Sequence, residues 1–88
     1  MLKLNVMKWG EVVNDSICRK CRAPIHKNQT FTFIEVQSEV GSAPGDFCRD
    51  CGNKLWGLRR MRNFNESIFC AGLLTTIDRF NKSLETHA

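Results

Sequence analysis

The clearest pattern in the chain lies at its end. From Glu66 onward, Phe69, Cys70, Leu73, Leu74, Ile77, Phe80 and Leu84 recur on one helical face, with Thr75, Asp78, Arg79, Lys82 and Ser83 opposite. This spacing predicts an amphipathic helix. Asn63 or Asn65 is placed to cap it, and Asn63 with Glu66 three residues on has the form of a capping box. Upstream, Thr30 to Gln37 (TFTFIEVQ) is dense in β-branched and aromatic residues and predicts a strand. Residues 2–9 alternate more weakly, Leu2, Leu4 and Val6 against Lys3, Asn5 and Met7, and predict a shorter one. Glu39 to Gly45 reads as a loop because of its Gly and Pro content, after which the chain returns through Asp46 and Phe47. Gly52 to Phe64 predicts a further helix, weakened by Gly57 and by apolar residues that form no clean stripe.

A chain of 88 residues makes one small domain whose core alone gives thin stability. Domains of this size commonly need a disulfide, a metal or a partner chain. The segment MLKLNVMKWG lacks the apolar stretch of a secretion signal. No run approaches the length of a membrane span. The expected location is therefore cytoplasmic, with no membrane contact, and in that compartment paired cysteines serve as metal ligands more often than as disulfides.

Five cysteines are present, and four follow a pattern: Cys18-x2-Cys21, then 26 residues, then Cys48-x2-Cys51. Two residues between cysteines let one tight turn aim both sulfurs at one ion, and backbone N–H groups in that turn spread the sulfur charge. Two such pairs fit the tetrahedral, all-thiolate preference of one structural zinc ion. Iron is the other metal with this ligand set, as in rubredoxins. This sequence departs from them in having Arg22 where the first knuckle would carry Gly, and in having no Tyr. Four thiolates leave no open metal position, so the expected role is structural. Zinc binding of this kind contributes on the order of 10 kcal/mol or more. That exceeds the net stability of a small domain, so metal removal is expected to unfold residues 18–56. Cys70 belongs to the apolar helix face and is expected to be a buried small hydrophobe. His26 is expected at the surface, and His87 in a terminal tail.

The segments ICRKCRAPI and DFCRDCGNKLWGLRRM resemble the two halves of a treble-clef zinc finger. The resemblance implies a first knuckle leading into a β-hairpin, with the second ligand pair at the start of a helix. The zinc ribbon is the alternative; it needs a strand after Cys51, and Gly52 keeps it open. The whole chain also resembles small orphan zinc proteins of bacteria and their phages. The expected fold is a small α+β zinc-finger domain followed by an amphipathic helix. Residues 1–62 form the four-cysteine module with its N-terminal strand, and 63–88 the helix, within a single domain.

The net charge is +4 and unevenly spread. Arg19, Lys20, Arg22 and Lys27 on the first knuckle and Arg59, Arg60 and Arg62 after the second can grip phosphates, so DNA or RNA is an expected partner. Trp56 can stack on a base if exposed. The competing explanation is a solvated surface on which some of Arg19, Lys20, Arg22 and Arg49 offset the formal −2 of a four-thiolate zinc site, with Trp9 and Trp56 as core residues. The stripe Phe69, Leu73, Ile77, Phe80 and Leu84 has near coiled-coil spacing, so a homodimer or a protein partner bound through residues 66–85 is expected, with packing on the zinc module as the alternative. No catalytic constellation is legible. The paired histidines of HNH nucleases, which share the treble clef, are missing, and the chain is expected not to be an enzyme. The expected function is that of a small zinc-binding regulatory protein contacting nucleic acid. The alternative is an adaptor or inhibitor that docks a larger host complex through its last helix.

Overall fold

The computed structural model describes residues 2–86, with side chains through Ser83. Leu84 in the apolar stripe and His87 therefore lie outside the described side chains. Five strands and two helices follow in order: β1 (Lys3–Glu11), β2 (Ser16–Ile17), β3 (Pro24–Ile25), β4 (Thr30–Ser38), β5 (Gly41–Cys48), α1 (Arg49–Arg59) and α2 (Glu66–Thr86). β1, β4 and β5 form an antiparallel sheet with β4 in the centre, and β2 pairs with β3 as a small ribbon. The fold is thus a small α+β domain.

Alternation along β4 decides which face is covered. Thr32, Ile34 and Val36 are fully buried. Their cross-strand partners on β5 are Phe47, Gly45 and Ala43, and on β1 Trp9, Met7 and Leu4. Both helices lie on this face. Ile77 of α2 packs so close to Gly45 that a Cβ there would sit 3.1 Å from its Cδ1. A second close approach, between Gly52 and Thr32, seats α1. Cys70, Leu73 and Ile77 of α2 join Ile34, Val36, Phe47 and Leu55 in one core. Burying each large side chain of this set contributes about 1.5–3 kcal/mol.

Two expectations are corrected here, and a third is narrowed to one of its alternatives. Residues 41–45 are strand, and the reversal is confined to Glu39 and Val40 between the paired Ser38 and Gly41. β5 is an edge strand, where Pro44 is tolerated because one row of backbone groups is free of sheet partners. The helix expected at Gly52–Phe64 starts earlier, at Arg49, and gives way near Arg60 to a turn in which Phe64 N–H bonds Met61 O at 3.1 Å. The chain then reverses, and Phe64 packs edge-on against Phe69 with ring centroids 5.1 Å apart. The cap of α2 is Asn65, whose Oδ1 accepts the Ile68 N–H at 3.1 Å; Asn63 takes no part in it.

The α2 stripe is also placed differently from a free seam. Leu73, Ile77 and Phe80 are buried within the chain and Phe69 is half-buried. The sheet offers the apolar face that these residues need. The apolar side chains left outside include Leu58, Met61 and Ile68, the last 71% exposed. Among the described residues, no helix is long and apolar enough to cross a membrane.

Candidate metal centre

The first cysteine pair sits in the turn between β2 and β3. Its backbone is fixed by Cys18 N–H to Ala23 O (2.9 Å), Arg22 N–H to Cys18 O (3.0 Å) and Arg19 N–H to Asp46 O (2.9 Å). The last of these ties the knuckle to the edge of β5, just ahead of the second pair. The turn brings Arg22 to a φ of +63°, the left-handed position that glycine normally takes. The second pair straddles the start of α1: Cys48 ends β5 and occupies the N-cap position, and Cys51 lies in the first turn.

This arrangement brings the sulfurs of Cys18, Cys21, Cys48 and Cys51 within 4.8 Å of one another. The Cys21 and Cys48 sulfurs are 3.6 Å apart. A tetrahedron with Zn–S bonds of about 2.3 Å has sulfur–sulfur edges of about 3.8 Å, so the donors fit one tetrahedral ion. Their chemistry fits as well, since an all-thiolate set selects zinc or iron over calcium or magnesium. All five cysteines are free thiols.

The surroundings treat the four thiols unequally. Burial acts to raise the Cys18 pKa, but the backbone N–H groups of Cys48, Cys21 and Lys20 outweigh it and bring the value down to about 7. Cys51 is pushed well up, by burial first and then by its sulfur neighbours Cys48 and Cys18. Cys48 is raised as well, mainly by burial. Ionisation is thus favoured at Cys18 and disfavoured at Cys48 and Cys51, where a bound cation would favour the thiolate. Cys70 is buried in the α2 core, outside the group of four. Its thiol is raised by burial and by the Glu66 charge. His26 also lies outside that group; its backbone N–H donates to Gln29 Oε1 at 2.7 Å.

The structure divides the seven basic residues expected to act together. Arg19, Lys20 and Arg22 line a cavity of about 230 Å³ with Thr76, Arg79 and Phe80 of α2. Arg19 lies over the Phe80 ring at 4.4 Å and donates to Ile17 O at 2.7 Å. Arg22 lies 5.8 Å from the same ring and donates to Ser83 Oγ at 2.6 Å. Arg79 is the residue that sequence reasoning misses. Its spacing puts it on the polar face of α2, and only the docking of α2 against the knuckle brings it here. Arg59, Arg60, Arg62 and Lys27 do not line this cavity. Arg59 folds over the Trp56 ring at 5.4 Å, while Arg60 and Arg62 are exposed where α1 ends. Trp56 stacks on Trp9 with centroids 6.2 Å apart and is half-buried, which favours a packing role.

A hollow of about 480 Å³ flanks Cys48 between the β3–β4 connection and the start of α1. Its lining includes one carboxylate, Asp50, and no histidine. A smaller apolar groove of about 310 Å³ runs between α1 and α2, walled by Leu55, Leu58, Ile68, Phe69 and Leu73. No family model matches this chain, and neither does any curated protein or solved structure.

Proposed function

We propose that this chain is a non-enzymatic regulatory protein that holds one structural zinc ion in a treble-clef-like site and contacts nucleic acid through the basic surface beside it. The observation that carries the reading is the convergence of four thiols, from the knuckle and from the start of α1, within 4.8 Å. Cys18, Cys21, Cys48 and Cys51 would hold the ion, which when bound supplies a cross-link rather than a reactive centre. The order of knuckle, hairpin β4–β5 and ligand-bearing helix start supports the treble clef over the ribbon, because α1 occupies the place where a ribbon needs a strand. Thiolate ligation suits a reducing compartment such as the cytoplasm.

Support for the nucleic-acid contact comes from charge. The cavity that gathers Arg19, Lys20, Arg22 and Arg79 has no carboxylate among its lining residues. Support for a non-catalytic role comes from the closed ligand set, because four thiolates leave no open metal position for a substrate or water. The test is native mass spectrometry for one zinc per chain, joined to duplex and single-strand binding measured across a salt series. One zinc and a linear fall of log affinity with log salt are expected. A folded, metal-free protein would refute the first half, and the absence of salt-dependent binding the second.

A second reading is favoured by the groove between α1 and α2. Leu58 and Ile68, which line it, and Met61, which lines the adjoining hollow, are about half or more exposed. On this reading a second copy of the chain covers the groove. Replacing Ile68 with Glu is then expected to shift the sedimentation-derived mass from dimer to monomer.

A further inference from the structure

We propose that the cavity formed by Arg19, Lys20, Arg22 and Arg79 around Phe80 is the seat of one phosphate group of the nucleic-acid backbone. The inference rests on the nucleic-acid reading above and narrows it to one of the two basic regions.

Phe80 is only 5% exposed and lies outside the contiguous core cluster, with Arg19 and Arg22 over its ring. Two guanidinium groups are held against that ring, each further tied by one hydrogen bond, Arg19 to Ile17 O and Arg22 to Ser83 Oγ. A guanidinium carries five N–H donors in a planar fork, so each retains donors for an anion. Restraint before binding lowers the entropy lost on binding, which separates this pair from freely moving surface lysines. Arg79 and Lys20 add two exposed cations from opposite walls. A guanidinium can bind phosphate bidentately, and no carboxylate among the cavity's lining residues competes for it. Asp46, the acid of β5 whose carbonyl holds the Arg19 N–H, has its carboxylate engaged by Ser16 Oγ at 2.7 Å.

The α1 end lacks these properties. Arg59 covers Trp56, and the cavity does not gather Arg60 or Arg62. Offsetting the charge of a zinc site accounts for Arg19 and Lys20, which follow Cys18 directly. It gives no reason for Arg79, which α2 delivers to the same cavity.

The experiment is an amide-resolved NMR titration of the zinc-loaded protein with inorganic phosphate, a short oligothymidylate and random duplex DNA, alongside binding across a salt series. Shifts are expected at Arg19, Lys20, Arg22 and Arg79 with phosphate and with at least one nucleic acid. The double change Lys20→Ala, Arg79→Ala touches two exposed side chains. It is expected to keep zinc content and fold, weaken oligonucleotide binding about tenfold and lower the salt slope by about one. The triple change Arg59→Ala, Arg60→Ala, Arg62→Ala should leave the cavity shifts in place. Nucleic-acid binding with shifts confined to residues 59–62 would overturn the cavity assignment and leave the wider reading standing. Shifts with phosphate but with neither nucleic acid would keep an anion site and overturn the nucleic-acid assignment. No shifts with any probe would overturn both.

Discussion

Gly52 and Thr32 approach so closely that a methyl group on Gly52 would overlap the Thr32 hydroxyl and lie 2.9 Å from Thr32 Cβ. This relationship seats the first turn of α1, and with it Cys51, on the central strand. Both residues are buried, so neither side can yield easily. Gly52→Ala is therefore expected to destabilise the zinc-loaded protein by about 1–3 kcal/mol, although alanine favours helix. Thr32→Ala in the same chain should recover part of the loss, as a double-mutant cycle in urea would measure. Gly57 has nothing within 4 Å of its missing Cβ. Gly57→Ala should raise stability by about 1 kcal/mol, and equal effects at the two glycines would contradict the close packing at Gly52.

The perturbed thiols give a pH prediction in which metal-free and metal-bound protein differ in sign. In the metal-free chain Cys48, Cys51 and Cys70 are raised above the ordinary value of 9.0, so they favour folding below that pH and lose the benefit as pH rises through their folded values. Cys18, lowered to about 7, acts oppositely: its contribution is present above 9.0 and lost as pH falls through about 7. Three groups oppose one, so the metal-free form should weaken in alkali. Zinc reverses the sign because it binds thiolates. At pH 7 the raised Cys48 and Cys51 are still protonated, so zinc binding to the four thiols should release at least about two protons. Calorimetry in buffers of different ionisation enthalpy measures this number directly. A release near zero would mean that these thiols are not the ligands.

The residues explain which parts of this fold are open to sequence reasoning. The Cys18–Cys21 and Cys48–Cys51 pairs are legible because the spacing a shared metal would require is local in sequence, and β4 because one buried face produces alternation at Thr32, Ile34 and Val36. The segment Gly41–Gly45 has the composition of a loop. Its glycine at 45 instead makes room for Ile77, a distant partner that local pattern does not record. The start of α1 carries no cap signal because its N-cap is Cys48, a candidate ligand that makes no side-chain cap bond. The α2 stripe is visible, but the face that covers it is assembled from three strands. Arg79 escapes notice for the same reason, since its neighbours Arg19 and Arg22 come from a turn far away in sequence.

Arg22 offers a local test of the knuckle. Its φ of +63° costs an L-residue with a Cβ about 1–2 kcal/mol. Arg22→Ala and Arg22→Gly both remove the guanidinium from Phe80 and Ser83, so their difference isolates the backbone. The glycine variant should be more stable by about 1 kcal/mol in zinc-saturated urea unfolding. An alanine variant of equal stability would show that the turn does not hold this conformation.

The burial of α2 bears on how the chain can be divided. If residues 66–86 served only to join copies, a chain ending at Asn65 would keep its zinc and its fold. In the structure, however, Leu73, Ile77 and Cys70 complete the core over Ile34, Val36 and Phe47. Removing them would expose much of one face of the sheet. Zinc would then have to hold a domain without its main apolar contacts, in which β5 and α1 carry half of the candidate ligands. Truncation at Asn65 should therefore abolish cooperative thermal unfolding and weaken zinc retention against a chelator. A gentler change checks the same point in the full chain: Ile77→Ala should cost about 2–5 kcal/mol, because Ile77 is only 1% exposed. Its effect should appear in unfolding and leave the solution mass unchanged. A mass that falls while stability holds would instead place Ile77 in an interface between copies and make α2 an association element.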